Sequence, residues 1–170
     1  LAVNSILMQF IILAAFFLDA YAFSTEGIVG FTLGKRNEKS FSLVVKNSIQ
    51  LSFFTALIIS IFYLIFFKQI INVITDIDII RFISYKHALW IIMIPPIASF
   101  CYQLDGIFIG ASQTRDMRNG MMFSVACFIV ISIYSTKYFG NHGLWFSLLL
   151  FTVLRSLTLR YFLNNILKKF

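Results

Sequence analysis

Charged side chains are scarce in this sequence. Only 12% of its 170 residues are Asp, Glu, Lys or Arg, whereas 59% are apolar. A soluble domain of this length cannot bury that much apolar surface in one core, because a small domain leaves a large share of its residues at the surface. A lipid bilayer accepts apolar surface on every side of a helix. The composition therefore excludes an ordinary soluble domain and indicates an integral membrane protein.

Residues and motifs for catalysis or metal binding are also few. The two cysteines, Cys101 and Cys127, stand alone in apolar runs without metal-ligand or redox spacing, so we interpret them as packing residues. His87 and His142 lie at the ends of apolar runs, where an interfacial position is expected. The sequence contains no His/Glu metal motif, no nucleophile with a base at useful spacing and no glycine-rich phosphate loop. We therefore expect no catalytic residue, no metal site and no enzymatic activity.

Five apolar stretches are long enough to cross a bilayer, which takes roughly 20 residues of helix. Lys68–Lys86, between the second and third stretches, mixes isoleucines with charges and predicts an amphipathic segment on the membrane surface. Pro95 and Pro96 fall inside the third helix, so we expect a kink there, with neighbours or water satisfying the freed carbonyls. The fold predicted is all-α, a polytopic membrane helix bundle with helices at about 5–33, 43–67, 87–111, 121–136 and 143–163.

The net charge of +7 comes from bases in short segments between the apolar runs. No basic stripe is interleaved with exposed aromatic residues, so we expect no nucleic-acid partner. Cytoplasmic loops are enriched in Lys and Arg, and five spans alternate strictly, which predicts an external N-terminus and a cytoplasmic C-terminus. Nine bases lie on the predicted cytoplasmic side, Lys35, Arg36, Lys39, Lys46, Arg115, Arg118, Arg160, Lys168 and Lys169, against four on the other, Lys68, Arg81, Lys86 and Lys137.

A few charged residues nevertheless lie inside the apolar runs. Asp19 and Glu26 are in the first helix, Asp105 is in the third and Arg155 is in the fifth. A charge near the bilayer centre costs roughly 2.5–3.5 kcal/mol on insertion scales, so such residues face a bundle interior or a wet cavity and are paired or neutralised. We expect Arg155 to pair with Glu26 or Asp105. Tyr102, one turn before Asp105, is positioned to share a proton or a cation with it, and the interpretation of Tyr102 as an ordinary core residue stays open.

The depth of the acids follows from a helix rise of about 1.5 Å per residue. Glu26 and Asp105 precede the next basic turns by similar distances, which predicts that both lie near the bilayer midplane. A carboxyl group that gains and loses a proton as its access to water changes is what a proton-coupled transporter requires. A structural interpretation stays open for each acid, which would only fix helix packing, and for Arg155, which would extend towards the headgroups.

Glycine pairs follow both deep acids. Gly30 and Gly34 follow Glu26, and Gly106 and Gly110 follow Asp105, each pair in the small-xxx-small spacing that lets helix backbones approach closely. We therefore expect both pairs to pack against neighbouring helices.

Three regions of the chain carry longer motifs in a fixed order. They are Leu18–Gly30 with Gly34–Asn37, Leu104–Ala111 with Met117–Asn119, and Gly143–Trp145 with Leu154–Leu159. Together they resemble the DinF-type branch of the MATE (multidrug and toxic compound extrusion) exporters. The resemblance covers nearly the whole chain. It implies that the chain, which begins at Leu1 within an apolar run, is a segment of a longer protein equivalent to helices eight to twelve of twelve.

The resemblance also implies a function. Family members exchange inward H⁺ or Na⁺ for outward cationic or amphipathic compounds, using two six-helix lobes in the plasma membrane, here the bacterial inner membrane. Asp105 would match the coupling acid of the tenth helix, and Asp19 and Glu26 the paired acids of the eighth. The N-terminal lobe would be the partner of this C-terminal lobe, which alone should be inactive. Other interpretations are a lipid-linked oligosaccharide flippase of the same superfamily and a purely structural membrane subunit.

Overall fold

The computed structural model of the protein describes residues 1–167, except for the side chains of residues 165 and 167. Lys168 and Lys169, two of the bases used to predict the orientation, lie outside the described residues. Residues 1–167 form six helices: α1 Ala2–Gly34, α2 Glu38–Ile74, α3 Asp78–Lys86, α4 Ala88–Gly110, α5 Thr114–Phe139 and α6 Asn141–Leu167.

Five of the helices within residues 1–167, all except α3, are long and apolar enough to cross a membrane. The predicted all-α membrane bundle is therefore confirmed. Four helices are longer than predicted. The differences are largest for α2, which begins at Glu38 and ends at Ile74, and for α5, which begins at Thr114 and ends at Phe139. A helix does not end where its apolar run ends, since its backbone hydrogen bonds continue to be satisfied internally. The start of α2 is set by Asn37, whose side-chain oxygen accepts from the Ser40 amide at 3.0 Å.

The longer helices change where two groups of bases lie. Lys46, assigned from the sequence to the turn after the first helix, lies in the third turn of α2. Arg115 and Arg118 lie in the first two turns of α5 rather than in a loop. These bases therefore line helices near one end of the bundle, and only Lys35 and Arg36 occupy the turn between α1 and α2.

The predicted amphipathic segment Lys68–Lys86 is shorter in the structure. Residues 68–74 belong to α2, and only Asp78–Lys86 forms the separate helix α3. Arg81 of α3 donates to the carbonyl oxygens of Asn72 and Thr75, at 3.0 and 2.7 Å. It thereby provides hydrogen-bond donors for carbonyl groups at the C-terminal end of α2. The membrane-surface position of α3 stays a prediction.

Helix α4 lies at the centre of the bundle. Helices α1, α2 and α6 pack on it, and α5 packs mainly on α6. Two apolar clusters fill the interior, one around Phe10, Tyr63 and Trp145 and the other around Phe41 and Phe108. Four membrane-spanning helices are thereby brought to a common centre, where the polar residues of α4 meet those of its neighbours.

Close contact between α1 and α4 depends on two glycines of α4. A Cβ atom placed on Gly106 would collide with the backbone of Ala22, and one placed on Gly110 would collide with the backbone of Glu26. Gly30 lies on the same contact, since its Cβ would meet the Gly110 carbonyl oxygen at 3.4 Å. All three glycines thus lie where the backbones of α1 and α4 approach each other closely. Gly34 lies outside this contact, because it ends α1 and a Cβ placed on it would meet no described atom within 4 Å. Its packing role stays a prediction.

The two prolines lie within a helix that continues on both sides of them, from Ala88 to Gly110. Pro96 has no N–H, so the Ile92 carbonyl one turn earlier lacks its usual intrahelical donor. The Ser60 hydroxyl of α2 donates to that oxygen at 2.8 Å. A neighbouring helix thus satisfies a freed carbonyl, as predicted for a proline inside a bundle.

Candidate functional site: an ion pair inside the bundle

An ion pair joins the central helix to α6. Arg155 Nη2 lies 2.7 Å from Asp105 Oδ2, and the two side chains are only 17% and 16% exposed. Both residues lie well inside helices of membrane-spanning length. The predicted pairing of Arg155 therefore occurs with Asp105 rather than with Glu26, and it neutralises two charges that would each be costly alone in the apolar interior.

The ion pair leaves part of each partner unsatisfied. Asp105 Oδ1 and Arg155 Nε are buried, and neither has a hydrogen-bond partner among the described residues. The Cys101 thiol approaches only Oδ2, at 4.0 Å. An arginine and a carboxylate can form two parallel hydrogen bonds, but this pair uses one nitrogen and one oxygen. Asp105 therefore keeps a buried oxygen that is free to accept a proton or a cation.

Two further predicted residues lie near the pair. Tyr102 and Asp105 are one turn apart on α4, and Asp19 of α1 is close enough to interact electrostatically with both. The contact of Gly106 with Ala22 sets this register, because α1 and α4 run in the same direction and Asp19 then lies almost level with Tyr102. Asp19, Tyr102, Asp105 and Arg155 thus form one polar cluster.

Glu26 lies away from that cluster. Its backbone contacts Gly110, so it is level with the end of α4, five residues beyond Asp105 and roughly 7 Å further along the helix axis. The prediction that Glu26 and Asp105 share one depth was therefore wrong. It assumed that α1 and α4 end at the same height, whereas α1 continues past the end of α4 to Gly34.

Sequence analysis missed a buried polar contact beside the cluster. The Thr25 hydroxyl of α1 lies 2.9 Å from Gln103 Oε1 on α4, and Gln103 is completely buried. Its Nε2 atom has no hydrogen-bond partner within residues 1–167. The available signal was an amide inside an apolar membrane helix two residues from Asp105, which is itself unusual. An uncharged amide is less conspicuous in an apolar run than a formal charge.

A second set of polar side chains connects the helices at the opposite end of the bundle. The side-chain amides of Asn4 and Asn141 donate to each other at 2.7 and 2.9 Å, and Asn141 Nδ2 also lies 3.0 Å from His87 Nε2. The His87 and His142 rings stack at 4.2 Å. These contacts join the starts of α1, α4 and α6. Neither asparagine was identified from the sequence, because each is an uncharged residue near the end of an apolar run.

Comparisons with known proteins agree with the motifs. A sequence profile of the MatE family matches residues 1–136. The DNA damage-inducible protein F of Escherichia coli (strain K12) is 33% identical over 145 residues, which cover 85% of this chain and 31% of that protein. The chain therefore spans about a third of the length of the curated relative that it matches. No solved structure matches the chain. The region matched by the profile includes Asp19, Glu26 and Asp105 but not Arg155.

Proposed function

The chain belongs to the MatE family, and on that premise we propose that it is the C-terminal transmembrane lobe of a cation-coupled antiporter. The observation that carries the proposal is the ion pair of Asp105 and Arg155, joined at 2.7 Å between two membrane-spanning helices. Ionisable residues inside such helices typically mark ion or proton pathways. The lobe would act in the bacterial inner membrane together with an N-terminal lobe.

The coupling step would be an exchange of partners at Asp105. When a proton or a sodium ion binds the carboxylate, it replaces the guanidinium as the neutralising positive charge. The link between α4 and α6 is then broken, and Arg155 is left with an uncompensated charge in a poorly hydrated place. Loss of the ion restores the pair. Ion occupancy thereby selects between two arrangements of α4 and α6, which is the requirement for coupling a gradient to a change in access.

Asp19 and Tyr102 would support that exchange. Asp19 adds a second negative charge within electrostatic range of Asp105, which favours the arrival of a cation. Tyr102 is within electrostatic range of both carboxylates and carries a hydroxyl group able to pass a proton or bind a cation. Glu26, which lies level with the end of α4, would be an entry residue rather than a part of the same site. The transported compound would be a small cationic or amphipathic molecule.

An alternative explanation is that the ion pair only holds α4 to α6. The full-length protein that contains this chain separates the two explanations when it is reconstituted in liposomes with an imposed proton or sodium gradient. Efflux of a lipophilic cation such as ethidium is measured for Asp105→Asn, for Arg155→Gln and for the double variant. Coupling at Asp105 predicts that Asp105→Asn reduces gradient-driven efflux to near background.

The double variant is the decisive control. It removes both charges and leaves no buried ion unpaired, so it relieves the structural penalty of either single change. If Asp105 binds the coupling ion, the double variant folds well but stays unable to couple. Recovery of gradient-driven efflux in the double variant would refute the proposal, because only the helix contact would then matter.

A further inference from the structure

A deep cleft lies between α2, α4 and α6, on the side of the bundle where α2 begins. Its volume is about 620 Å³, and its walls include Lys46 and Gln50 of α2, Phe100 and Leu104 of α4, and Arg160 of α6. Helices α2 and α6 both pack on α4, and the cleft separates them. The cleft is not part of the Asp105 site, although Leu104 forms its inner wall next to that residue.

The charged side chains that line the cleft are all positive. Lys46 and Arg160 line it, and no carboxylate is among its described lining residues. Within residues 1–167 neither base forms an ion pair, whereas Arg81 and Arg155 do. Two like charges beside one cavity repel each other, and the repulsion is relieved by an anion between them. The charge pattern therefore fits a negatively charged occupant.

The interior of the cleft is apolar. Phe100, Leu104, Ile49 and Leu163 line it together with the two bases, and all belong to helices of membrane-spanning length. The polar side chains Gln50, Ser156 and Asn164 also line the cavity. A suitable occupant thus needs an anionic group with hydrogen-bond acceptors for the bases and amides, and an apolar part for the remainder. A free phosphate ion would leave the apolar walls unused.

We propose that this cleft binds the headgroup and upper acyl chain of an anionic phospholipid. Basic pockets between membrane helices attract acidic headgroups, and each Lys or Arg near the surface adds to the attraction. Lys46 and Arg160 contact the phosphate, and the acyl chain lies against Phe100 and Leu104. The lipid fills the space between α2 and α6, two helices otherwise joined through α4. The site does not depend on the transport reaction proposed above.

The test uses the full-length protein that contains this chain and measures retained lipid by native mass spectrometry. Samples are purified from nanodiscs of phosphatidylglycerol or of phosphatidylcholine. The Lys46→Gln/Arg160→Gln double variant removes the charges of the cleft. It should bind phosphatidylglycerol about thirtyfold more weakly than the unmodified protein, because two attractive bases are lost. Neither protein should retain phosphatidylcholine.

The matched control is Lys39→Gln/Arg118→Gln, which removes two exposed bases predicted to lie on the same side but outside the cleft. It should retain phosphatidylglycerol as the unmodified protein does. Ser156→Phe is a second variant, which fills the cleft and keeps both bases, and it should also lose the lipid. Equal retention by all variants would overturn the proposal. Displacement of the lipid by an equal concentration of inorganic phosphate would also overturn it, because a simple anion site would then suffice.

Discussion

At the scale of single residues, the ion pair of Asp105 and Arg155 is short, but its hydrogen bonding is incomplete. One nitrogen and one oxygen meet at 2.7 Å, while Asp105 Oδ1 and Arg155 Nε stay buried without a partner in the described part of the chain. A fully satisfied pair would be difficult to open, and an isolated carboxylate would be costly to keep in an apolar bundle. The observed pair lies between these extremes, as a site that exchanges ions requires.

Replacing Arg155 by an uncharged residue should destabilise the protein, because Asp105 is then a buried acid without a partner. We expect Arg155→Gln to lower the free energy of unfolding by about 3 kcal/mol, because breaking a largely buried pair leaves one charge uncompensated. Arg155→Lys should cost less, since it keeps a cation on α6. The measurement is thermal unfolding of the purified full-length protein in detergent. Arg118→Gln, which removes an exposed base, is the control and should change stability by about 0.5 kcal/mol at most.

At the scale of helices, the site depends on how closely α1 approaches α4. The glycines at 106 and 110 allow the backbone of α1 to lie directly against α4, which brings Asp19 within range of Tyr102 and Asp105. A bulkier residue at either position would push the helices apart. The packing glycines therefore belong to the functional argument as much as the charged residues do.

The glycine contact gives an element-scale prediction. We expect Gly110→Ala to destabilise the full-length protein by about 1–3 kcal/mol, because its added Cβ meets backbone atoms of Glu26 that cannot rotate away. Gly27→Ala is the matched control, since a Cβ there meets open space, and it should be neutral or slightly stabilising. Equal loss of thermal stability in both variants would show that general helix effects, rather than the α1–α4 contact, control this position.

The proline segment of α4 gives a second prediction at this scale. We expect Ser60→Ala to cost about 1 kcal/mol in unfolding free energy, because the Ile92 carbonyl loses its donor. In a Pro96→Ala background the same change should cost less, since the introduced alanine supplies the missing N–H. Ser132→Ala, which removes only a hydroxyl bonded within its own helix, is the control. An unchanged cost in both backgrounds would mean that Ser60 acts through packing alone.

At the scale of the whole molecule, the helices do not end at one level. Helix α1 runs from its contact with Gly110 at Glu26 on to Gly34, which extends it by roughly 12 Å beyond the end of α4. The turn that carries Lys35 and Arg36 therefore projects beyond Arg115 and Arg118. The chain as a whole spans about a third of the length of its curated relative.

The predicted orientation is testable in cells. In a full-length protein with Cys101→Ala and Cys127→Ala, a single cysteine is introduced by Lys39→Cys or by Lys137→Cys, both at exposed positions. A membrane-impermeant maleimide added to intact spheroplasts should label the second variant and spare the first. Inverted membrane vesicles should give the opposite result, because the positively charged turns are predicted to be cytoplasmic. Labelling of the Lys39→Cys variant in intact spheroplasts would contradict the predicted orientation and indicate the opposite one.

The sequence by itself determined the membrane class, the five spanning helices and the family. Those properties depend on local apolar length and on motifs, which are present in the residues whatever their neighbours are. The list of charged residues within the spans was also available from the sequence, because a charge inside an apolar run is conspicuous there.

Only the tertiary structure decided which of these residues meet. It paired Arg155 with Asp105 instead of Glu26, and it placed Glu26 level with the end of α4 because α1 extends further. It also revealed Gln103 beside Thr25, the Ser60 donor to Ile92, and the cleft between α2 and α6. Side-chain partners across helices depend on relative height and rotation, and the spacing of residues along one helix carries no information about either.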